Sequence, residues 1–288
     1  MINVAPALNF ACPLDGLALA AEANTLRCPT GHCFDRAKEG YCNLLVVQHK
    51  ASRDPGDSRE MVAARRRFVD AQHFAPITEH LFGVVQQAMT AAAGRTLTVL
   101  DAGCGEGYTL DRLAVLAQQS TDHGTIALAG IDVSKWAIKA AARRKSPVTW
   151  LVANNARPPF LAGSVDLILC LFGFPVWDGF KSVQRSGSQV VLVDPGPDHL
   201  IELREIIYPS VTRAPPAPVA VAEPAGHRLT REERLQFPIT LARQDPIQDL
   251  LAMTPHGHRI TEAGRGRLAQ MESLAVTVDV VVRTLILS

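Results

Sequence analysis

An apolar run that ends in an acid and then turns on alternate glycines, Val99-Leu100-Asp101-Ala102-Gly103-Cys104-Gly105-Glu106-Gly107, is the strongest chemical signal in this sequence. Gly103, Gly105 and Gly107 let the backbone turn tightly and approach a ligand with no Cβ in the way, just before a helix opening near Tyr108. Dinucleotide loops space their glycines G-x-G-x-x-G directly after the strand, whereas here the acid comes first and glycines fall at every second position. A second apolar run ends in Gly130-Ile131-Asp132, and Asp132 is suited to accept both hydroxyls of a ribose. Asp132 alone would also suit helix capping, although Ser134 is the better cap for the helix that follows. Together these residues point to the binding of a nucleoside cofactor.

Four of the six cysteines, Cys12, Cys28, Cys33 and Cys42, crowd into the first 42 residues. Cys12-Pro13-Leu14-Asp15-Gly16 and Cys28-Pro29-Thr30-Gly31-His32 read as two knuckle turns, the local geometry that aims backbone amides at metal-bound thiolates. Three readings stand side by side. Zinc is held by Cys12, Asp15, Cys28 and His32; or Cys33 or Cys42 supplies a missing thiolate; or the module has lost its metal and folds by packing. As plain residues, Cys33 and Cys42 read as small buried hydrophobes. A module of this size has little core, so loss of metal would demand contacts with the rest of the chain.

The elements that would position these groups fall into three regions. Residues 1–48 form a small zinc-ribbon-like β module, residues 49–75 a basic connector and helix, and residues 76–288 the cofactor-binding domain. In the connector, Asp57 or Ser58 caps a helix from Arg59 to Ala75. Helices are expected over Ile77–Ala93 and Ser134–Arg144, and strands over Thr96–Leu100, Ile126–Ile131, Val165–Leu171 and Gln189–Val193. This alternation predicts an α/β fold, a doubly wound, mostly parallel sheet with helices on both faces. The Ala/Pro-rich stretch Ala214–Pro224 reads as a surface loop.

Composition narrows the function classes. The chain has 288 residues, 47% hydrophobic and 20% charged, with a net charge of only +1, so any nucleic-acid surface must be local. No apolar run approaches a membrane span, and Met1–Phe10 lacks the pattern of a signal peptide; a cytoplasmic enzyme with free cysteines is expected. Arg36, Lys38, Lys50, Arg53, Arg59, Arg65, Arg66 and Arg67 outnumber the acids among them, which suits phosphate contact, or equally a solvated helix face with internal ion pairs.

The acid-then-glycine order resembles motif I of class I S-adenosylmethionine-dependent methyltransferases. Val152-Ala153-Asn154-Asn155 resembles their loop after the third strand, where Asn154, or Asn155, would meet the adenine amino group. More specifically, the chain resembles the large-subunit rRNA guanine-N1 methyltransferases, called RlmA or RrmA in bacteria. The resemblance rests on Gly31-His32-x-Phe34-Asp35-x-Ala37-Lys38-Glu39-Gly40-Tyr41, on Ser52-Arg53-Asp54-Pro55-Gly56-Asp57-Ser58 and on Ala64-Arg65-Arg66-x-Phe68. It continues through Asp132-Val133-Ser134-Lys135, Pro195-Gly196-Pro197-x-His199-Leu200 and Met253-Thr254-Pro255. It implies S-adenosylmethionine as cofactor, one structural zinc, a guanine in a domain II hairpin of 23S rRNA as target, Lys50, Arg53, Arg65 and Arg66 as RNA contacts, and a homodimer. Asp15 stands where the family has a cysteine, and Cys170–Trp177 differs from the family's usual stretch after the fourth strand.

Methylation at guanine N1 needs that nitrogen in line with the methyl group, its proton removed, and charge at O6 stabilised. Phe172, Phe174 and Trp177 are candidates for stacking on an unstacked base, or for ordinary packing. His199 and Asp194, near the end of the fifth strand, are candidates for proton transfer or O6 contact; His199 also reads as a hydrogen-bonded structural histidine. Three rivals remain: an enzyme of the same ancestry acting on another RNA base or position, an RNA-binding assembly factor that no longer turns over, and a small-molecule methyltransferase, which would leave the ribbon and basic connector without purpose. Intact glycines at Gly103 and Gly105 argue against the second.

Overall fold

The computed structural model describes residues 1–46, 55–214 and 225–288. The chain starts in the large sheet rather than in the ribbon: β1 (Ile2–Pro6) lies parallel to residues 124–128, and Ile2 is buried. The ribbon follows as a three-stranded antiparallel sheet of β2 (Ala20–Glu22), β3 (Thr25–Arg27) and β4 (Cys33–Asp35). β5 (Cys42–Asn43) then returns to the large sheet. Backbone hydrogen bonds therefore join the segment Ile2–Asn43 to the catalytic sheet at both ends.

Ser58 caps α1 (Arg59–Asp70) by accepting the Met61 N–H at 3.3 Å. The helix stops five residues before the expected Ala75, because Gln72 adopts φ +62° and breaks the repeat. α2 (Ala75–Ala91) restarts with a proline in its first turn, where the missing N–H costs nothing. Then come β6 (Leu97–Ala102), buried along its whole length, α3 (Tyr108–Gln119), β7 (Gly124–Asp132) and α4 (Lys135–Ala142). β8 (Thr149–Val152), β9 (Val165–Leu171), α5 (Trp177–Val183), β10 (Gln184–Pro195) and α6 (Ile201–Ile207) complete the alternating part. The C-terminal region, for which the sequence pattern gave no elements, is β11 (His227–Leu241), α7 (Gln244–Ala252), α8 (His256–Arg259), α9 (Glu262–Ala269) and β12 (Leu274–Leu287).

The large sheet runs β11-β12-β10-β9-β6-β7-β8-β5, with β1 sharing one edge of β7 with β8. Its pairings are parallel except β10 with β12 and β11 with β12. From β6 the chain proceeds to β7 and β8 on one side, then returns to place β9 on the other. That reversal opens a crevice at the carboxyl ends of β6 and β9, the place where doubly wound sheets bind ligands. Two apolar layers, one on each face of the sheet, hold it: Leu110, Leu113 and Ile138 belong to one, Phe160, Phe180 and Trp177 to the other. Among the described residues no helix is long and apolar enough to cross a membrane.

Candidate active site

A cavity of about 900 Å³ occupies this crevice. Its first end is built by the turn between β6 and α3. Gly103, Gly105 and Gly107 all have positive φ (+94°, +56° and +81°), as the sequence required. At Gly103 the nearest atom to an added Cβ would be Asn155 Nδ2 at 4.0 Å, so the space there is open to a ligand. Gly107 is different: an added Cβ would lie 2.5 Å from Trp150 and 2.7 Å from Ala141. It serves helix packing and does not line the cavity.

Asp101, Glu106 and Asp132 crowd this end, and all three carboxyls are pushed above their ordinary range, first by burial. For Asp101 the neighbouring charges of Asp132 and Glu106 add to burial and bring it to about 8. Asp132 is the best satisfied, accepting the N–H groups of Ser134 at 2.7 Å and Gly105 at 3.0 Å. Asp101 Oδ1 and Glu106 Oε2 are buried and have no partner among the described residues. Buried unpaired carboxylate oxygens are costly, and a cationic ligand would relieve them. S-adenosylmethionine carries a sulfonium and an ammonium, so the donor set fits that cofactor. The amide positions diverge: Asn155 bonds the Ala102 carbonyl beside Gly103, whereas Asn154 closes a turn by accepting the Arg157 N–H at 2.9 Å. Neither lines the cavity.

Two residues that sequence reasoning left out of the cofactor site belong to this end. Asp57 faces the cavity and pairs with Arg65 at 2.5 Å, and Arg65 also donates to the Met253 carbonyl. The connector is seated there closely: Ser134 Oγ donates to the Asp57 carbonyl, and a Cβ on Gly56 would fall 2.8 Å from Ser134. The signal was a Gly-Asp-Ser cap followed by Arg65 on the same face two turns later. Arg65 and Arg66, expected on an RNA surface, are engaged within the protein instead. Arg66 bonds the Ala140 carbonyl and Asp70. Arg67 likewise grips Asp249 through two nitrogens. Lys50 and Arg53 lie outside the described residues.

The second end of the cavity is aromatic. Phe172 stands between Phe74, at 6.1 Å, and His199, at 5.7 Å, with its backbone at φ +51°. Phe174 lines the mouth. Trp177 is absent from the cavity lining and is buried against Phe180 and His227. Burial pushes His199 down to about 4, and its Nδ1 accepts the Asp279 N–H at 3.3 Å. A neutral ring accepting at Nδ1 carries its proton on Nε2, so His199 donates rather than accepts at its other edge. Asp194 is also reassigned. It sits off the cavity and pairs with Arg283 at 3.3 Å, so it is not placed to take a proton from a substrate. The far wall comes from the unanticipated C-terminal region: Met253, Thr254, Pro255, His256 and Arg259.

The ribbon brings Cys12, Asp15, Cys28 and His32 together, with one ligand atom from each within 4.8 Å of the others. Gly16 and Gly31, both at positive φ, close the two knuckles through N–H bonds to the carbonyls of Cys12 and Cys28. His32 Nδ1 lies 3.5 Å from Cys12 Sγ and 3.4 Å from Cys28 Sγ, and Cys28 Sγ lies 3.4 Å from Asp15 Oδ2. Zinc bonds of about 2.0–2.3 Å in a tetrahedron imply ligand separations of about 3.3–3.8 Å, so this donor set fits the ion. Thr30 donates to the Asp15 carboxylate and holds it towards the cluster. Cys33 is exposed on β4 and Cys42 is buried on β5; neither joins the group. The ribbon docks through Phe10 edge-on to Phe160 at 5.2 Å, and Ala11 N–H bonds the Pro159 carbonyl.

Comparison with known proteins agrees with this architecture. Residues 10–53 match the zinc-ribbon family described as RlmA, N-terminal, and residues 99–186 match a methyltransferase domain. Over 277 residues, 94% of each chain, the protein is 31% identical to YxjB of Bacillus subtilis (strain 168), named provisionally as a 23S rRNA (guanine-N(1)-)-methyltransferase. It is 35% identical over 193 residues to a Streptomyces fradiae 23S rRNA (guanine(748)-N(1))-methyltransferase, covering 67% of this chain and 65% of that one. A Micromonospora griseorubida protein with the same provisional name as YxjB is 33% identical over 94% of each chain. With its ribbon, its acid-and-glycine turn and its aromatic cavity in one chain, the protein belongs to the family of 23S rRNA (guanine-N1)-methyltransferases.

Proposed function

We propose that this protein methylates N1 of a guanine in 23S rRNA, within a hairpin of domain II, using S-adenosylmethionine. One observation carries the reading: a single cavity is acidic and glycine-lined at one end and aromatic at the other. When bound, the cofactor supplies a methyl group activated by a sulfonium. Asp101, Glu106 and Asp132 provide the negative field that favours its positive charge, and Gly103 and Gly105 leave room for it. Phe172 and Phe174 offer faces for an unstacked base. His199 Nε2–H supplies a hydrogen bond to a ligand oxygen and Asp194 is already committed to Arg283, so neither acts as the base: the N1 proton passes to solvent water, and catalysis rests on positioning and charge stabilisation.

The test is methyl transfer from labelled S-adenosylmethionine to 23S rRNA lacking its modifications, with the product located by primer extension. Transfer to one domain II guanine is expected, and Gly103→Arg, whose side chain would enter the cofactor space, should abolish it. Transfer to another base would favour the altered-target reading. Binding of the RNA without cofactor binding or transfer would favour an assembly factor.

Zinc on Cys12, Asp15, Cys28 and His32, RNA contact by Lys50 and Arg53, a cytoplasmic location and a homodimer complete the proposal. The gathering of one donor atom from each of the four residues within 4.8 Å supports the first of these. Metal analysis of the purified chain should find about one zinc per protein, in keeping with a four-ligand structural site. Asp15→Ala should lose it on mild chelation while Asp15→Cys retains it. Metal-free protein that keeps its fold would show the ribbon to be held by packing alone.

A further inference from the structure

Two side chains at the mouth of the cavity have no partner among the described residues. Phe174 is 90% exposed, more than any other large apolar side chain described. It follows Phe172, whose left-handed backbone is tied by its N–H to the Val193 carbonyl at 2.8 Å, so the ring is held out by a fixed turn rather than left on a loose tip. Arg259, on the C-terminal wall, is exposed, opens on the same cavity and has no hydrogen-bond or ion-pair partner among the described residues. Its condition contrasts with Arg65, Arg66, Arg67 and Arg144, each of which is bonded inside the protein.

Charge along the cavity makes the mouth selective. The cofactor end holds Glu106 and Asp132, whose ionised forms repel a polyanion, with Asp57 already paired to Arg65, while the α8 wall presents the guanidinium of Arg259. An exposed aromatic face and a guanidinium lining one cavity are the kinds of group used to hold single-stranded nucleic acid: the ring stacks on any base and the cation meets the backbone.

We propose that Phe174 and Arg259 form a seat for the single-stranded RNA flanking the target guanine, Phe174 stacking on a neighbouring base and Arg259 contacting a phosphate. The proposal rests on the RNA substrate assigned above and adds a recognition surface outside the ribbon and connector. It assigns the C-terminal region a share in substrate binding rather than in fold completion alone.

The test uses the full-length protein and an RNA fragment spanning the domain II hairpin, with affinity measured over a range of salt concentrations and cofactor affinity measured by calorimetry. Arg259→Ala should weaken RNA binding and lower the slope of log affinity against log salt by about 0.7, the loss of one single-strand phosphate contact. Arg259→Lys should keep the slope. Phe174→Ala should weaken binding about 5- to 100-fold with the slope unchanged, and Phe174→Tyr should restore it. Cofactor affinity should stay within about twofold throughout, since neither side chain meets the acidic end. Wild-type RNA binding by either alanine variant overturns the seat, as does loss of cofactor affinity in Arg259→Ala, which would give the guanidinium to the cofactor carboxylate. If the wild type shows these effects yet methylates no guanine, the seat stands and the assigned reaction fails.

Discussion

Asp101 shows how one residue ties cofactor charge to pH. Its carboxyl is raised by burial, then by Asp132 and Glu106, to about 8. In the empty protein it is therefore largely protonated at neutral pH. A cation arriving beside it favours the carboxylate, so binding of S-adenosylmethionine should release a proton and tighten as pH rises towards about 8, then level off. Calorimetry in buffers of different ionisation heat measures that proton directly, and a pH-independent affinity would remove Asp101 from the cofactor's field. The sign for the empty fold is opposite. A raised acid binds more protons folded than unfolded, so the empty protein loses stability as pH climbs from the ordinary carboxylate range to about 8. The acid and the glycines around it were legible in the sequence because their order is local. Asn154 was not, because its fate depends on the turn it makes with Arg157. The roles of Arg65 and Asp194 depended on partners far along the chain, Met253 and Arg283.

At the level of elements, the three glycines of one turn divide their work. Gly103 keeps space clear for a ligand, while Gly107 lets α3 start against Trp150 and Ala141. Gly107→Ala combines overpacking with a strained φ and should cost about 2–4 kcal/mol of stability, read as a lower urea midpoint. Gly103→Ala shares the positive-φ strain (+94°) but meets no neighbouring atom, so it should lower the midpoint less than Gly107→Ala and act additionally on cofactor affinity. Elements buried on both faces were the easiest to read. Val165–Leu171 forms a strand with the expected limits because parallel strands carry unbroken apolar runs. β11 escaped notice for the opposite reason: it is an edge strand with an Arg- and Glu-rich outer side, and its pairing to β12 spans a helical insertion. The break between α1 and α2 has no glycine to announce it, only Gln72 in a left-handed conformation.

Across the whole molecule, the ribbon is not an appendage on a string. β1 precedes it and β5 follows it, and both lie in the catalytic sheet, so the module is inserted between two strands of the domain it serves. Removing residues 1–6 strips a parallel neighbour from β7 and the buried Ile2, and should lower stability by about 2–4 kcal/mol even though no site residue is touched. Urea unfolding of the shortened chain checks this; an unchanged midpoint would make β1 ornamental. The same arrangement has a consequence for biosynthesis. Ile2 to Pro6 find their partners only when residues 124–128 have been made. That wait is roughly 120 residues, or on the order of ten seconds at about 5–20 residues per second. During it the nascent chain carries a strand without its sheet, a few residues ahead of the first knuckle turn at Cys12. The four candidate metal ligands are complete by His32, so closure of the ribbon around an ion is expected to precede formation of the sheet that anchors it.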